Sequence, residues 1–256
     1  MSRKKGVREN AVRDADAAAS RKSKRRSRNF VILGFALALT GQFASLAYGE
    51  TFILPLDQTN GWQFLSYRKI PPNTFRASSA GLEIRVQKSA GPAVFPLPHQ
   101  IHVTEVRARG TITGLLKVPP KKQGDRGFDD YAIRIGLVEA GSRTLSWREK
   151  LVSAEWVKKL FALAPSGTGI RRVHFFNVGT DPGQIGQTRT HPLSDLIEET
   201  VVVVPDADGR FAFTKRFAQP INVLAVWIAS DGDDTKSSLS VTVSKVELET
   251  RPDRSR

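Results

Sequence analysis

The chain of 256 residues contains no cysteine and only four histidines. Without cysteine there is no disulfide, no thiol nucleophile and no zinc–thiolate centre. A folded part must then be held by its apolar core alone. The histidines, His99, His102, His174 and His191, show neither an H-E-x-x-H pattern nor any other strong zinc spacing. Also missing are the G-x-S-x-G elbow of serine hydrolases and the glycine-rich loops that cradle phosphates. No internal repeat of fixed period is visible, which argues against a solenoid or propeller.

Positive charge is abundant but unevenly spread. Residues 1–29 hold eleven Lys/Arg and three acids, so +8 of the formal +14 sits there and +6 remains for everything after. A body charge of that size serves solubility. No nucleic-acid motif accompanies it, and nucleic acid is not an expected partner.

The basic cluster Arg21–Arg28 is followed by the apolar run Phe30–Leu39 and by small residues around Ala44, Ser45 and Ala47. A cationic flank, an apolar stretch and a small-residue exit are the parts of a secretory signal. The expected layout is a basic, disordered region over 1–29 and a signal h-region with cleavage region over 30–49, with cleavage after Ala47 or Gly49. The alternative is an uncleaved anchor, because no charge occurs between Arg28 and Glu50. Both readings leave the body on the far side of the membrane, periplasmic or secreted, touching the bilayer only through this segment if it is retained.

From Glu50 onward the pattern has period two. Leu82, Ile84 and Val86 alternate with polar residues, as do Tyr131, Ile133, Ile135 and Leu137, then Phe211 and Phe213, then Leu239, Val241 and Val243. Val246 and Leu248 shift the face by one, which predicts a bulge near Ser244-Lys245. Val201–Val204 and Val223–Ala229 are apolar on both faces and suit covered, central strands. Further strands are expected at 51–55, 63–68, 93–97, 101–113 and 170–178. One short helix is expected after a Ser153 cap, with apolar pairs Trp156/Leu160 and Val157/Phe161 and an exit at Pro165. The expected fold is all-β: a β-sandwich or jelly roll of about nine to ten strands with one short helix, over 50–250, and a disordered tail at 251–256. Pro119–Phe128 and Gly179–Pro192 are read as long loops without pattern, a place for function.

Two stretches carry a resemblance. Asp129-Asp130 runs into the strand Tyr131–Leu137, and Trp227–Asp231-Gly-Asp233-Asp234-Thr235 precedes the final strand ending Val246–Leu248. This resembles a bacterial family of exported β-sandwich proteins of unknown function, with an acidic pair before a central strand and an Asp-x-Asp-x-Thr segment before the last. The likeness covers roughly residues 50–250. Where the family has a tryptophan-rich middle strand, this chain has Val103–Ala108. The resemblance implies a sandwich and export, and names no activity.

The candidate sites follow from these stretches. Asp231, Asp233 and Asp234 surround a glycine and could converge on Ca2+, which takes six to eight oxygens, although the downstream Glu of an EF-hand is missing. The competing reading is a solvated turn. Asp129 and Asp130 could serve glycoside chemistry, but neighbours on a strand face opposite ways, so one of them should turn inward or cap a loop, with Asp130 pairing Arg134 as an alternative. His174 is read as an ordinary surface or edge residue, and His191 as the more interesting histidine. Trp62, Trp156 and Trp227 sit in apolar patterns and read as core. Trp147, beside Arg148 and Glu149, could stack on a sugar ring. The long loop and its entry offer Asn177, Asp181, Gln184, Gln187, Arg189 and His191 for polar recognition. These residues favour a non-catalytic module for carbohydrate or another envelope polymer, with no catalytic residue assigned. Two alternatives stand beside it: a glycan-acting enzyme using Asp129/Asp130 or Asp231/Asp233/Asp234, and a structural or assembly partner of envelope proteins without a small ligand.

Overall fold

The computed structural model describes residues 49–251 apart from 120, 147, 150–154 and 193. The basic region, the export segment up to residue 48, Trp147, the Ser153 cap, the side chain of Trp156 and the tail from 252 lie outside the described residues. Among the described residues no helix is long and apolar enough to cross a membrane.

The alternating segments form eleven strands: β1 (Thr51–Ile53), β2 (Gln63–Phe64), β3 (Thr74–Ser78), β4 (Gly81–Gln87), β5 (Ala90–Leu115), β6 (Ile133–Gly141), β7 (Gly169–Val178), β8 (Thr188–His191), β9 (Ser194–Val203), β10 (Arg210–Asp231) and β11 (Ser238–Thr250). The helix α1 (Glu155–Phe161) lies between β6 and β7, and a short 3-10 turn spans Pro182–Gln184. Neighbours run in the order β3-β4-β11-β5-β10-β6-β7-β9-β8, with β1 against β11 and β2 against β5. All pairings are antiparallel except β7 with β9.

Two strands expected at 93–97 and 101–113 are one, β5. It and β10 pair along most of their length, with register breaks between Arg216 and Ile221 and between Val223 and Ala225. Pro98 and Pro220 fall inside these breaks. Proline cannot donate to a ladder, so irregular pairing there is the expected result. Beyond the breaks the second half of β5 pairs with β11, while the second half of β10 pairs with β6. The sheet thus folds over into two layers. Leu82, Ile84 and Val86 of β4, Val241 and Val243 of β11, and Ile133, Ile135 and Leu137 of β6 pack into one fully buried cluster between them. The expected bulge is present, as a register shift between Val243 and Lys245.

Two other expectations change. Only Val201 of Val201–Val204 is buried, because β9 is covered on its outer edge by the four-residue β8. β8 itself lies inside the supposed loop Gly179–Pro192. Its sequence Thr-Arg-Thr-His is polar on both faces and carries no alternation to read.

The outward face of β6, β7 and β10 holds a second apolar cluster, including Val138, Val173, Phe175 and Trp227, against which Leu160 of α1 packs. Register sets Trp227 beside Gly136, Gly136 beside Phe175, Phe175 beside Glu199, and Glu199 beside Arg189. The Phe175 and Trp227 rings meet edge to face, 6.0 Å apart at 86°. They meet over Gly136, where a Cβ would lie 2.6 Å from Phe175 Cε1. Gly136→Ala should therefore destabilise the domain by about 1–3 kcal/mol through overpacking, seen as a lower urea midpoint with an unchanged slope.

Candidate functional site

A cleft of about 530 Å³ opens on this outward face. Its floor is apolar, made by Leu160, Val173, Phe175, Ile197, Trp227 and Ala229. Its wall is charged, and Arg134 is at the centre of that wall. The side-chain alternation that turns Ile133 and Ile135 into the core turns Arg134 outward, onto the cleft face. Yet Arg134 is only 6% exposed, so its charge must be met on every side.

It is met in full. Arg134 Nε donates to Asp231 Oδ2 at 2.7 Å, Nη1 to Glu199 Oε1, and Nη2 to the Asp129 carbonyl at 2.6 Å. The guanidinium also lies over the Tyr131 ring, 4.4 Å from its centre. Glu199, 2% exposed, accepts a second time from Arg189 Nε at 2.8 Å. Arg189 reaches on to Asp129 Oδ1 at 2.5 Å, and His191 Nε2 stands 3.1 Å from Asp129 Oδ2. Residues from β6, β8, β9, β10 and the 129–130 segment thus form one ionic network.

Burial works against the charge on Arg134, but Glu199, Asp231 and Asp129 outweigh it and keep it ionised more firmly than an ordinary arginine. The two aspartates of the network are driven apart. For Asp129, burial raises the carboxyl pKa, but the hydrogen bond from His191 and the Arg134 and Arg189 charges outweigh it and hold it below the usual range. For Asp231, burial dominates over Arg134, and Asp130 and Asp233 add to it, so its pKa is pushed up to about 6.

The two residues of the acidic pair part company. Asp129 joins the network. Asp130, 1% exposed, accepts from Thr235 N at 2.7 Å and Thr235 Oγ1 at 2.6 Å, and so pins the 232–237 turn beside the cleft. It is Asp129, rather than Asp130, that bonds Arg134. The carboxylates of Asp231, Asp233 and Asp234 do not all come within 4.8 Å of one another. Asp231 turns to Arg134, Asp233 is half-buried and Asp234 exposed. Among the described residues, three metal-ligating side chains come within 4.8 Å of one another at Asp129, His191 and Glu199 instead. There the two guanidinium groups already occupy the carboxylates, which disfavours a competing cation.

The residues expected to recognise a ligand are scattered. His191 lines the cleft. Arg189 backs the charged wall and borders a separate space of about 80 Å³ with Gln184 and Gln187. Asp181 accepts from Gly183 N at 2.9 Å, and Gln187 Nε2 donates to the Gly183 carbonyl at 2.9 Å, so both shape their own turn. Asn177 is not a loop residue: it lies in β7, fully buried, with neither amide atom hydrogen-bonded to a described residue. His174 is no ordinary edge residue either. Its Nε2 is 2.8 Å from Glu139 and its Nδ1 3.2 Å from Glu198. Trp62 is core, with Nε1 donating to the Pro55 carbonyl at 2.9 Å. Glu199 was not singled out from the sequence, and Arg134 was named only as an alternative partner of Asp130. The one hint for Arg134 is a charge inside the otherwise apolar segment 131–138.

No protein-family model matches the chain, and no curated protein matches it. Solved structures do. A "xylan-binding module CBM15" aligns with 79% of this chain and 97% of its own at 11% identity and a TM-score of 0.32. The VIP36 exoplasmic/lumenal domain in its Ca2+/Man3GlcNAc-bound form aligns over 80% and 90% at 9% identity and 0.33. The apo Crh5 transglycosylase aligns over 79% and 85% at 10% identity and 0.31.

Two outcomes follow from the network. Arg134→Ala leaves Glu199 and Asp231 buried without their shared cation and should cost about 3–5 kcal/mol, measured by denaturant unfolding. Asp231 has a native pKa of about 6 against an ordinary 3.8. Between those values the native state holds the proton that the unfolded state has lost, so this group's contribution is favourable at low pH and fades as pH rises from about 4 to about 6. Asp231→Asn should remove that decline from a stability–pH series.

Proposed function

We propose that the domain is a non-catalytic binding module for an oligosaccharide, with the cleft as its binding site. The observation that carries this reading is the pairing of an apolar floor with a charged wall fixed by its own ion pairs. A sugar ring has the matching halves, a C–H face for apolar contact and hydroxyls for hydrogen bonds. A volume of about 530 Å³ lies within the roughly 300–1,000 Å³ of small-molecule sites. Because Arg134, Arg189, Asp129 and Glu199 hold one another, little side-chain freedom remains to be lost on binding. The leader pattern makes the cell envelope the place where such a ligand would be met.

The assembly-partner reading draws less support. The exposed large apolar side chains among the described residues are Ile53, Phe64 and Leu115 on three different strands and Ile185 in the loop before β8, and they offer no single apolar docking face.

One observation favours a second reading, glycoside chemistry. Asp231 and Asp129 touch the same guanidinium in one cleft, yet one carboxyl is raised and the other lowered. Such a divergence is how an enzyme separates an acid from a base.

Calorimetric titration of the full chain with a panel of bacterial and plant oligosaccharides, with calcium and with chelator in parallel, tests both. The expected result is binding without turnover, unaffected by chelator, and weakened at least tenfold by Ser194→Trp, which fills the cleft. Chelator-sensitive binding would move the site to Asp231, Asp233 and Asp234 with Ca2+. New reducing ends, lost in Asp129→Asn and in Asp231→Asn, would replace the binding reading with the enzymatic one.

A further inference from the structure

The charge of the cleft is opposite to that of the protein around it. The chain carries +14 overall and +6 after residue 29. The cleft, by contrast, is lined by six carboxylates, Asp129, Asp130, Glu199, Asp231, Asp233 and Asp234, against the guanidinium groups of Arg68 and Arg134. Arg189 behind the wall brings the permanent cations to three, which leaves an excess of negative charge.

What matters to a ligand is which of these charges are already engaged. Each nitrogen of the Arg134 guanidinium donates within the network, so an anionic ligand could take Arg134 only by displacing Asp231, Glu199 or the Asp129 carbonyl. Asp130 is engaged by the 234–235 backbone. The acids of the far rim are differently placed. Asp231 is 9% exposed, and Arg134 holds its Oδ2 while no described residue donates to its Oδ1. Asp233 and Asp234 form no ion pair among the described residues. Lys236 places its Nζ on the Asp233 backbone carbonyl at 2.6 Å. Burial, Asp130 and Asp234 raise the Asp233 carboxyl above its ordinary pKa and outweigh the backbone hydrogen bond and the Lys236 charge, which lower it. Of the two arginines that line the cleft, Arg68 is exposed and forms no ion pair with a described residue.

We infer that the cleft selects a glycan bearing a free amine, an amino sugar in its unacetylated form, with the ammonium received by Asp231 and Asp233 and the ring on the apolar floor. The inference rests on the saccharide reading and narrows it. A cleft of one sign with low-dielectric walls concentrates its counter-charge, and an ammonium supplies the donors that acceptor-only carboxylates lack. An N-acetyl group would place a neutral amide there, and a uronic acid a like charge.

The full chain should be titrated at pH 6.5 with four oligomers of one length: a glucosamine oligomer, its N-acetylated counterpart, a neutral glucose oligomer and a galacturonic acid oligomer. The amino oligomer is expected to bind at least tenfold more tightly than the other three, with an advantage that shrinks at 0.5 M salt. Asp233→Asn should reduce the advantage of the amino oligomer over the neutral one, both measured on the same variant, to less than threefold. Asp234→Asn, at an exposed position where folding is not at stake, should lower it by a smaller factor. Equal or tighter binding of the N-acetylated, neutral or acidic oligomer overturns the inference and leaves the saccharide reading standing. Binding of none of the four overturns both.

Discussion

A guanidinium closed off from water must find an anion for every face it presents, and Arg134 sets that demand at the middle of the outward sheet. The answers come from Glu199 on β9, Asp231 at the end of β10 and the Asp129 carbonyl just before β6. These segments lie far apart in sequence. Once they meet at one cation, the edge strands are locked to the centre of the sheet by charge as well as by backbone ladders. Buried ion pairs add little net stability compared with apolar packing, but breaking one is expensive. The network therefore tolerates little rearrangement, and the wall it forms keeps one shape.

The floor obeys a different rule. Gly136 leaves a gap in the row between Trp227 and Phe175, and the two rings close over it. Both rings line the base of the cleft, while the opposite faces of β6 and β10 belong to the inner core. Wall and floor are thus built from alternate residues of the same strands, and the cleft inherits the rigidity of the sandwich.

Much of the fold was legible because burial imposes period two. Leu82, Ile84, Val86 and Val223–Ala229 read correctly, as did the Ser244-Lys245 bulge, since each leaves its mark within a few residues. β8 was not legible: a short polar strand at the sheet edge has no buried face to advertise. The continuity of β5 across Pro98 was equally hidden, because proline argues locally for an end, and here the register breaks without ending the strand. The site was legible only in pieces. Asp129, His191 and Asp231 drew attention as polar residues, but nothing near Glu199 announces that it faces a cation 65 residues away. Asn177 misled for the converse reason: a polar residue near a loop looks like a ligand contact and is in fact shut inside β7.

A strand late in this sequence joins several earlier ones. β11 lies between β4 and β5 and also carries β1, so residues 238–250 hold together segments synthesised long before them. Until those residues are available, β4 and the second half of β5 each present an open hydrogen-bonding edge beside apolar side chains. Such edges are templates for pairing with other chains. A chain lacking residues 238–250 is thus a set of exposed edges seeking partners, not a slightly smaller sandwich. Completion of the sandwich is gated by β11, and its vulnerability to aggregation is concentrated in the interval before that strand arrives.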